Sequence, residues 1–382
     1  MIIRRVILVV LLTTLALLTV VGCGDKIAIP EPTGLFSTAQ YIQDAKYDDE
    51  ALQIVTIQGN LFVIRSDSLI KRNQNYESLD GVGGFGDARA LCHEAIDDLV
   101  FVWDEQLKRV SWYRSSDLEP PSGDVPFSDL PDVQTCIAMA TNSYGRLQVD
   151  GATTYLYLAD PDSGVVHRYA YIPGGGLVAH GILCSDEGQG ARSIHDPRGM
   201  VTDSGGFLLV CEADIERNWV VRFDGTPDTT DVADEGEGED PLRGTAALFR
   251  AATCDPPAAT DYVLGNAAIC NETDWEGGPS EAEGEFHDPT AVSIDGLGRI
   301  FVSDTANNRI QVFQPDGYYD FLYSVTDTVF VPESLASVDF RTSSTNVNYG
   351  AYLYVVSGPQ VFRFISGEHY NWQYTQYPPE EE

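Results

Sequence analysis

Two tripeptides in this sequence have the composition of a reactive or metal-binding group. His195-Asp196-Pro197 and His287-Asp288-Pro289 each put an imidazole beside a carboxylate, directly before an apolar, strand-like run. Both groups are zinc ligands, and a catalytic zinc takes about three protein ligands with one position left open. Two equivalent histidines fall one ligand short. At the matching place upstream, the sequence reads GFGDARALC: Asp87 aligns with Asp288, Gly86 falls where histidine is expected, and His93 lies inside the strand. The other reading of His-Asp-Pro is a turn, in which proline fixes its own φ and biases the preceding Asp towards extended geometry. The missing ligand favours the turn.

Other chemistry is sparse. There is no G-x-S-x-G, H-E-x-x-H or Walker loop, and no G-x-G-x-x-G between a strand and a helix. The glycine-rich run Gly81–Gly86 follows a polar loop and precedes a strand, so it reads as a connection between repeats. Asp228–Asp240 carries seven acidic residues. Oxygen-rich segments suit calcium, but the spacing is not that of an EF-hand, and a like-charged run is more often a solvated linker. Zinc or calcium are thus the two ions the sequence offers, and neither is assigned.

A third class of carboxylate repeats. Asp104, Asp160 and Asp304 each close an apolar run, and an aromatic follows nine residues later (Tyr113, Tyr169, Phe313). Such an Asp is expected to accept backbone N–H groups of the turn that follows it. Glu212 occupies the same place in a fourth copy, with two extra turn residues before Phe223. Weaker copies without the Asp begin at Gln53 and Ala351.

The elements that position these residues are strands. Residues 290–295 alternate apolar and polar, 299–304 are apolar and β-branched, and 309–313 begin a third strand, with turn residues between them. Six such units, with the irregular stretch 228–285 set aside, give roughly 44 residues per unit, the period of propeller blades. A lone blade leaves apolar faces uncovered, and ring closure buries each against two neighbours. On such a ring the three aspartates are rotated apart, which argues against a shared metal.

The run 287–313, HDPTAVSIDGLGRIFVSDTANNRIQVF, is similar to the NHL repeat in its Pro, its Asp closing the strand and its V-x-D-T-x-N-N-R-I-x-V-F. The resemblance is close over 286–317, degraded over 194–225, partial over 85–113 and 153–169, and faint elsewhere. It implies an all-β, six-bladed β-propeller and specifies no chemistry. Some propellers of this kind are lyases that hold zinc with histidines around the central channel, so the resemblance also implies a rival reading: a metal-dependent lyase or hydrolase using His195 and His287 at the channel mouth.

The N-terminus gives an address. Arg4 and Arg5 precede an uncharged, mostly apolar run, Val6 to Val21, the order of an export signal and short for a membrane span. Val20-Val21-Gly22-Cys23 resembles the bacterial lipobox, which implies cleavage before Cys23, lipidation of that cysteine and a membrane tether. The expected organisation is a signal at 1–22, lipidated Cys23 and tether at 23–47, the propeller at 48–367 with its insert at 228–285, and an acidic tail at 368–382. A strand from either terminus could close the ring. Seven cysteines less Cys23 leave an even number, and export permits disulfides. Cys254 and Cys270 bracket a segment without strand pattern and are the expected pair, whereas Cys92 and Cys136 lie in apolar runs.

The chain of 382 residues has a formal net charge of −35 and a pI near 4.2. Nucleic acid is excluded as a partner, since its binding rests on Lys and Arg neutralising phosphates. The favoured reading is a lipoprotein of the bacterial cell envelope. Its propeller is a non-enzymatic binding or assembly module for a protein, peptide or glycan, with the membrane engaged through the lipid alone.

Overall fold

The computed structural model describes residues 41–121, 126–142, 151–184, 194–214, 217–224, 245–246, 263–265, 278–296, 298–313, 331–341 and 349–366. The export signal, Cys23, Cys254, Cys270, the acidic run 228–240 and the tail lie outside them.

Every sheet is an antiparallel meander, and together they are the six blades of a propeller. Blade one comprises Gln53–Ile57, Asn60–Arg65, Ser68–Arg72 and Ser78–Gly83. Blade two follows with Ala88–Glu94, Leu99–Asp104, Arg109–Arg114 and Phe127–Asp129. Blade three runs through Ala138–Asn142, Thr154–Asp160, Val165–Ile172 and Gly176–Cys184. In blade four, Pro197–Thr202, Phe207–Asp214 and Arg217–Asp224 are joined by two short pieces of the irregular stretch, Thr245–Ala246 and Val263–Gly265, both paired to the third strand. Blade five has Pro289–Ile294, Ile300–Asp304 and Arg309–Phe313 among the described residues.

Blade six is made from both ends of the described chain. Ser334–Arg341, Tyr349–Ser357 and Gln360–Ser366 form its inner three strands. Its outer strand is Tyr41–Asp48, antiparallel to Gln360–Ser366. The N-terminal end therefore closes the ring, and the last residues of the stretch read as tether are a strand.

The hydrophobic pattern follows from position in the blade. Second strands are flanked by a strand on each side and a neighbouring blade on each face. Leu99–Asp104, Thr154–Asp160 and Ile300–Asp304 are accordingly buried at every residue. The core lies between blades. Leu156 and Leu158 pack with Phe101, Trp103 and Trp112 of blade two, while Tyr155 and Tyr157 pack with Val210, Trp219 and Phe223 of blade four. One strand thus serves two interfaces by its period of two.

The first strands stand around the axis, each touching the next. Their axial edges carry backbone groups with no strand to pair with, a cost if left unmet. Side chains of adjacent blades meet several of them. The Leu91 N–H donates to Gln53 Oε1 (2.8 Å), Ile54 N–H to Ser334 Oγ (3.4 Å), and the Thr141 hydroxyl to the His93 carbonyl.

Blades four and five approach backbone to backbone at Gly199. A Cβ there would lie 2.6 Å from Ala291 Cα and 2.7 Å from the Thr290 carbonyl oxygen, atoms that cannot swing aside. Overpacking of this kind costs about 2 kcal/mol. Gly199→Ala is expected to lower the free energy of unfolding by that amount, read in urea as a lower midpoint with the slope of the transition unchanged.

Candidate functional site

The repeated carboxylates are latches. Asp104 ends the second strand of blade two. Its oxygens accept the N–H groups of Gly86 (2.7 Å) and Asp87 (3.2 Å) from the loop entering the first strand, and that of Leu107 (3.0 Å) from the turn after itself. Asp160 does the same with Gln134 and Thr135 on one side and Ser163 on the other. Glu212 reaches the N–H groups of His195 (3.0 Å) and Asp196 (2.5 Å). Asp304 takes the N–H of His287 at 2.7 Å. Asp104 and Asp160 take a backbone N–H of the following turn, whereas Asp304 takes the Asn307 side-chain amide there, and all of them also reach backwards to the strand entry.

Blade five shows why its version of the repeat is so specific. The Asn307 amide donates to both Asp304 oxygens and to the Ser280 carbonyl. Asn308 takes the left-handed conformation (φ 51°), which asparagine tolerates better than most residues. Arg309 Nε donates to Asp304 Oδ2, and its terminal nitrogens donate to the carbonyls of Glu281, Ala282 and Glu285. Gln311 donates to Glu285 O and Asp304 and accepts from the Gly284 N–H. Asn307, Arg309 and Gln311 thus share one network around Asp304.

Two blades solve the problem otherwise. In blade six the Ser357 hydroxyl accepts the Val331 N–H (2.8 Å). In blade one the polarity is inverted: Arg65 ends the second strand and Asp49 stands in the entry loop, joined Nε to Oδ1 at 2.7 Å. Asp49 is 4% exposed and also accepts from Arg72 and Tyr76, both at 2.9 Å.

His195 and His287 open the entry loops of blades four and five. Their backbone N–H groups are the ones held by Glu212 and Asp304, and their side chains are exposed. The His195 ring lies 3.4 Å from Asp214 Oδ2. Asp288 has φ 59°, left-handed where the following proline led to an expectation of extended backbone. Its N–H is held by Asn218 of blade four at 2.7 Å, and its carbonyl accepts from Thr305, so the loop is fixed from both sides. Among the described residues no group of three or more His, Cys, Asp or Glu is placed to hold a metal ion. Cys92, Cys136 and Cys211 are buried free thiols, and burial pushes all three up from the ordinary thiol range.

The channel itself encloses about 330 Å³ along the axis, walled by the six first strands. Neither His195 nor His287 contributes to its described wall, whereas His93 does, with Nε2 3.1 Å from Asp98. At the end where the first strands begin, the rim carries Arg89, Arg198 and Glu333. Arg89 Nε donates to Asp87 (2.9 Å), Arg198 Nη2 to Asp196 (2.6 Å), and Glu333 Oε2 accepts the Gly358 N–H (2.9 Å). The rim side chains are thus held within their own blades, two of them by carboxylates whose own N–H groups the latches fix.

Residues 286–313 match the NHL repeat. The B-box type zinc finger protein ncl-1 of Caenorhabditis elegans is 49% identical over 39 residues, 10% of this chain and 5% of that protein's length. Among solved structures, a catalytically inactive virginiamycin B lyase from Staphylococcus aureus with quinupristin covers 86% of this chain and 98% of its own, at 10% identity and a TM-score of 0.44. A putative gluconolactonase covers 87% and 93% at 14% identity, with a TM-score of 0.46. The β-propeller domain of Myceliophteria thermophila Cps50 (Swd1) covers 85% and 99% at 9% identity, also with a TM-score of 0.46.

The sequence reading singled out the histidines and passed over the rim. A signal was there: D-x-R occurs at 87–89 and again at 196–198, at the same place in the repeat.

Removing one latch should be costly. Asp304→Ala leaves Arg309 Nε and the His287 N–H without their acceptor, and breaking a buried pair on one side costs about 4 kcal/mol. Equilibrium urea unfolding reads this loss.

Glu212 carries a pH signature. Burial pushes its carboxyl up from 4.5 to about 8, against the backbone N–H groups of Asp196 and His195 and the charge of Arg217, which pull it down. Between those values the folded protein keeps a proton that the unfolded chain releases. The associated stability is complete below the unfolded value and is lost as pH rises towards 8. The stability difference between the wild type and Glu212→Gln is therefore expected to change by on the order of a few kcal/mol between pH 5 and pH 8. A difference independent of pH would show that the carboxyl is already ionised at pH 5.

Proposed function

We propose that this protein is an exported lipoprotein whose propeller serves as a non-enzymatic binding or assembly module at the bacterial cell envelope. It holds a protein, peptide or glycan partner at the channel mouth. The observation that carries this reading is the rim. Side chains from different blades are fixed by bonds inside those blades, so they meet a partner without first being ordered. Preorganisation of that kind removes much of the entropic cost of association. The acidic charge of the chain supports a partner other than nucleic acid. The N-terminal order of arginines, apolar run and Cys23 supports a lipid tether rather than a spanning helix.

Two measurements test the reading. Cys23→Ala is expected to release the protein from the membrane fraction or to leave its precursor unprocessed, and unchanged processing and membrane association would remove the lipoprotein assignment. Elemental mass spectrometry on the soluble form beginning at Gly24, purified without chelator, is expected to find no stoichiometric zinc or calcium. One ion per chain, lost in a His195→Ala/His287→Ala double variant, would replace the binding module with a metal-dependent lyase or hydrolase on that face.

A further inference from the structure

We propose that the channel mouth takes a small amphipathic carboxylate, gripped by Arg89 and Arg198. The proposal rests on the reading of the mouth as the binding surface and adds the chemistry of what it holds.

The pairing of each first strand with its neighbour puts one residue per blade at the same level of the rim. In order around the ring these are Leu52, Arg89, Ile137, Arg198, Thr290 and Glu333. Blades two, four and six present charge. Blades one, three and five present apolar or β-branched side chains. Leu52 is 37% exposed, one of the few large hydrophobic residues left open on the described surface.

The channel wall is less acidic than the chain. The sequence has 23 basic and 58 acidic residues, yet among the described residues walling the channel the two arginines face a single carboxylate, Glu333. Asp87 and Asp196 each engage their arginine through one hydrogen bond and leave other donors of the guanidinium available. One of these is singular. Arg198 Nε is shielded from solvent and donates to no described protein acceptor. A charged donor in that state gains from any acceptor that reaches it, and the planar fork of arginine fits a carboxylate in particular. Four residues along the same strand, the Thr202 hydroxyl is also buried on the channel wall without a partner, and it offers a second polar contact deeper in.

The class of anion follows from what surrounds the arginines. Asp87 and Asp196 each offset the charge of one arginine and Glu333 adds a further negative charge, so attraction at the mouth comes from the open guanidinium donors rather than from net charge; that disfavours a doubly charged group and leaves a monoanion. Leu52 and Ile137 accommodate an apolar remainder. A channel of about 330 Å³ is at the small end of ligand pockets.

The test uses the soluble form from Gly24 with hexanoate, hexylamine and hexyl phosphate as matched probes, followed by calorimetry and ligand-observed NMR. Hexanoate is expected to bind one per chain, at least tenfold more weakly in Arg89→Ala/Arg198→Ala. Arg198→Lys, which keeps the charge and loses the fork, should fall between them. Thermal melts of the variants establish that they are folded. Hexanoate affinity unchanged in the double variant, or no hexanoate binding, would overturn the proposal. Hexyl phosphate binding tenfold tighter than hexanoate would overturn it in favour of phosphate esters. Hexylamine binding that is lost in Glu333→Gln, with no hexanoate binding, would overturn the carboxylate while leaving the mouth as a binding surface.

Discussion

A carboxylate buried at the end of a second strand is the constraint on which most of the described ring depends. The first strand of a blade has a neighbour on one side only, so nothing in the sheet itself fixes where its entry loop lies. Asp104, Asp160, Glu212 and Asp304 fix it by accepting backbone N–H groups across the sheet. Asp104 and Asp160 also hold the turn to the third strand, so that one side chain registers three strands. Burying a charged acceptor is unfavourable unless donors surround it, and in blade five they do: two amides and a guanidinium converge on Asp304. The inverted pair in blade one, Arg65 with Asp49, shows that the geometry is the invariant and the sign of the charge is not.

The rim inherits its precision from these latches. Asp87 and Asp196 have their N–H groups held by Asp104 and Glu212, and each in turn holds the arginine two residues further on. A structural carboxylate is thus connected through one residue to a side chain at the channel mouth. That division of labour separates the repeat, which every blade needs, from the rim, where Leu52, Arg89, Ile137, Arg198, Thr290 and Glu333 differ from blade to blade.

Much of this was legible in the sequence, and the limits have physical reasons. Period-two alternation and turn spacing identified six blades, because a strand packed between two neighbours must show an apolar run that a helix or loop would not. The latch of Asp304 was visible as a repeated residue type. The latch of Asp49 was not, since an acid at the loop and a base at the strand end leave no repeated letter. Asp288 was expected to be extended before Pro289, and a bond from Asn218, distant in sequence, holds it left-handed instead. The rim was missed because the histidines drew attention by their chemistry, whereas position on the axis is a property of the closed ring. The strand Tyr41–Asp48 has the composition of a linker, and only its pairing with Gln360–Ser366 makes it part of the fold.

That last pairing gives the molecule a direction in time. Tyr41–Asp48 is the first described strand to be synthesised, and its partner is the last. Blades one to four find their neighbours locally as the chain lengthens, but the first strand has no sheet to join until nearly the whole chain is present. Its contacts are the most distant in sequence that the described fold contains, and such contacts form late and slowly. A chain of this design leaves the ribosome as an open arc with two unpaired ends. The pairing of those ends is what makes it a ring, and loss of Gln360–Ser366 would remove the seam itself.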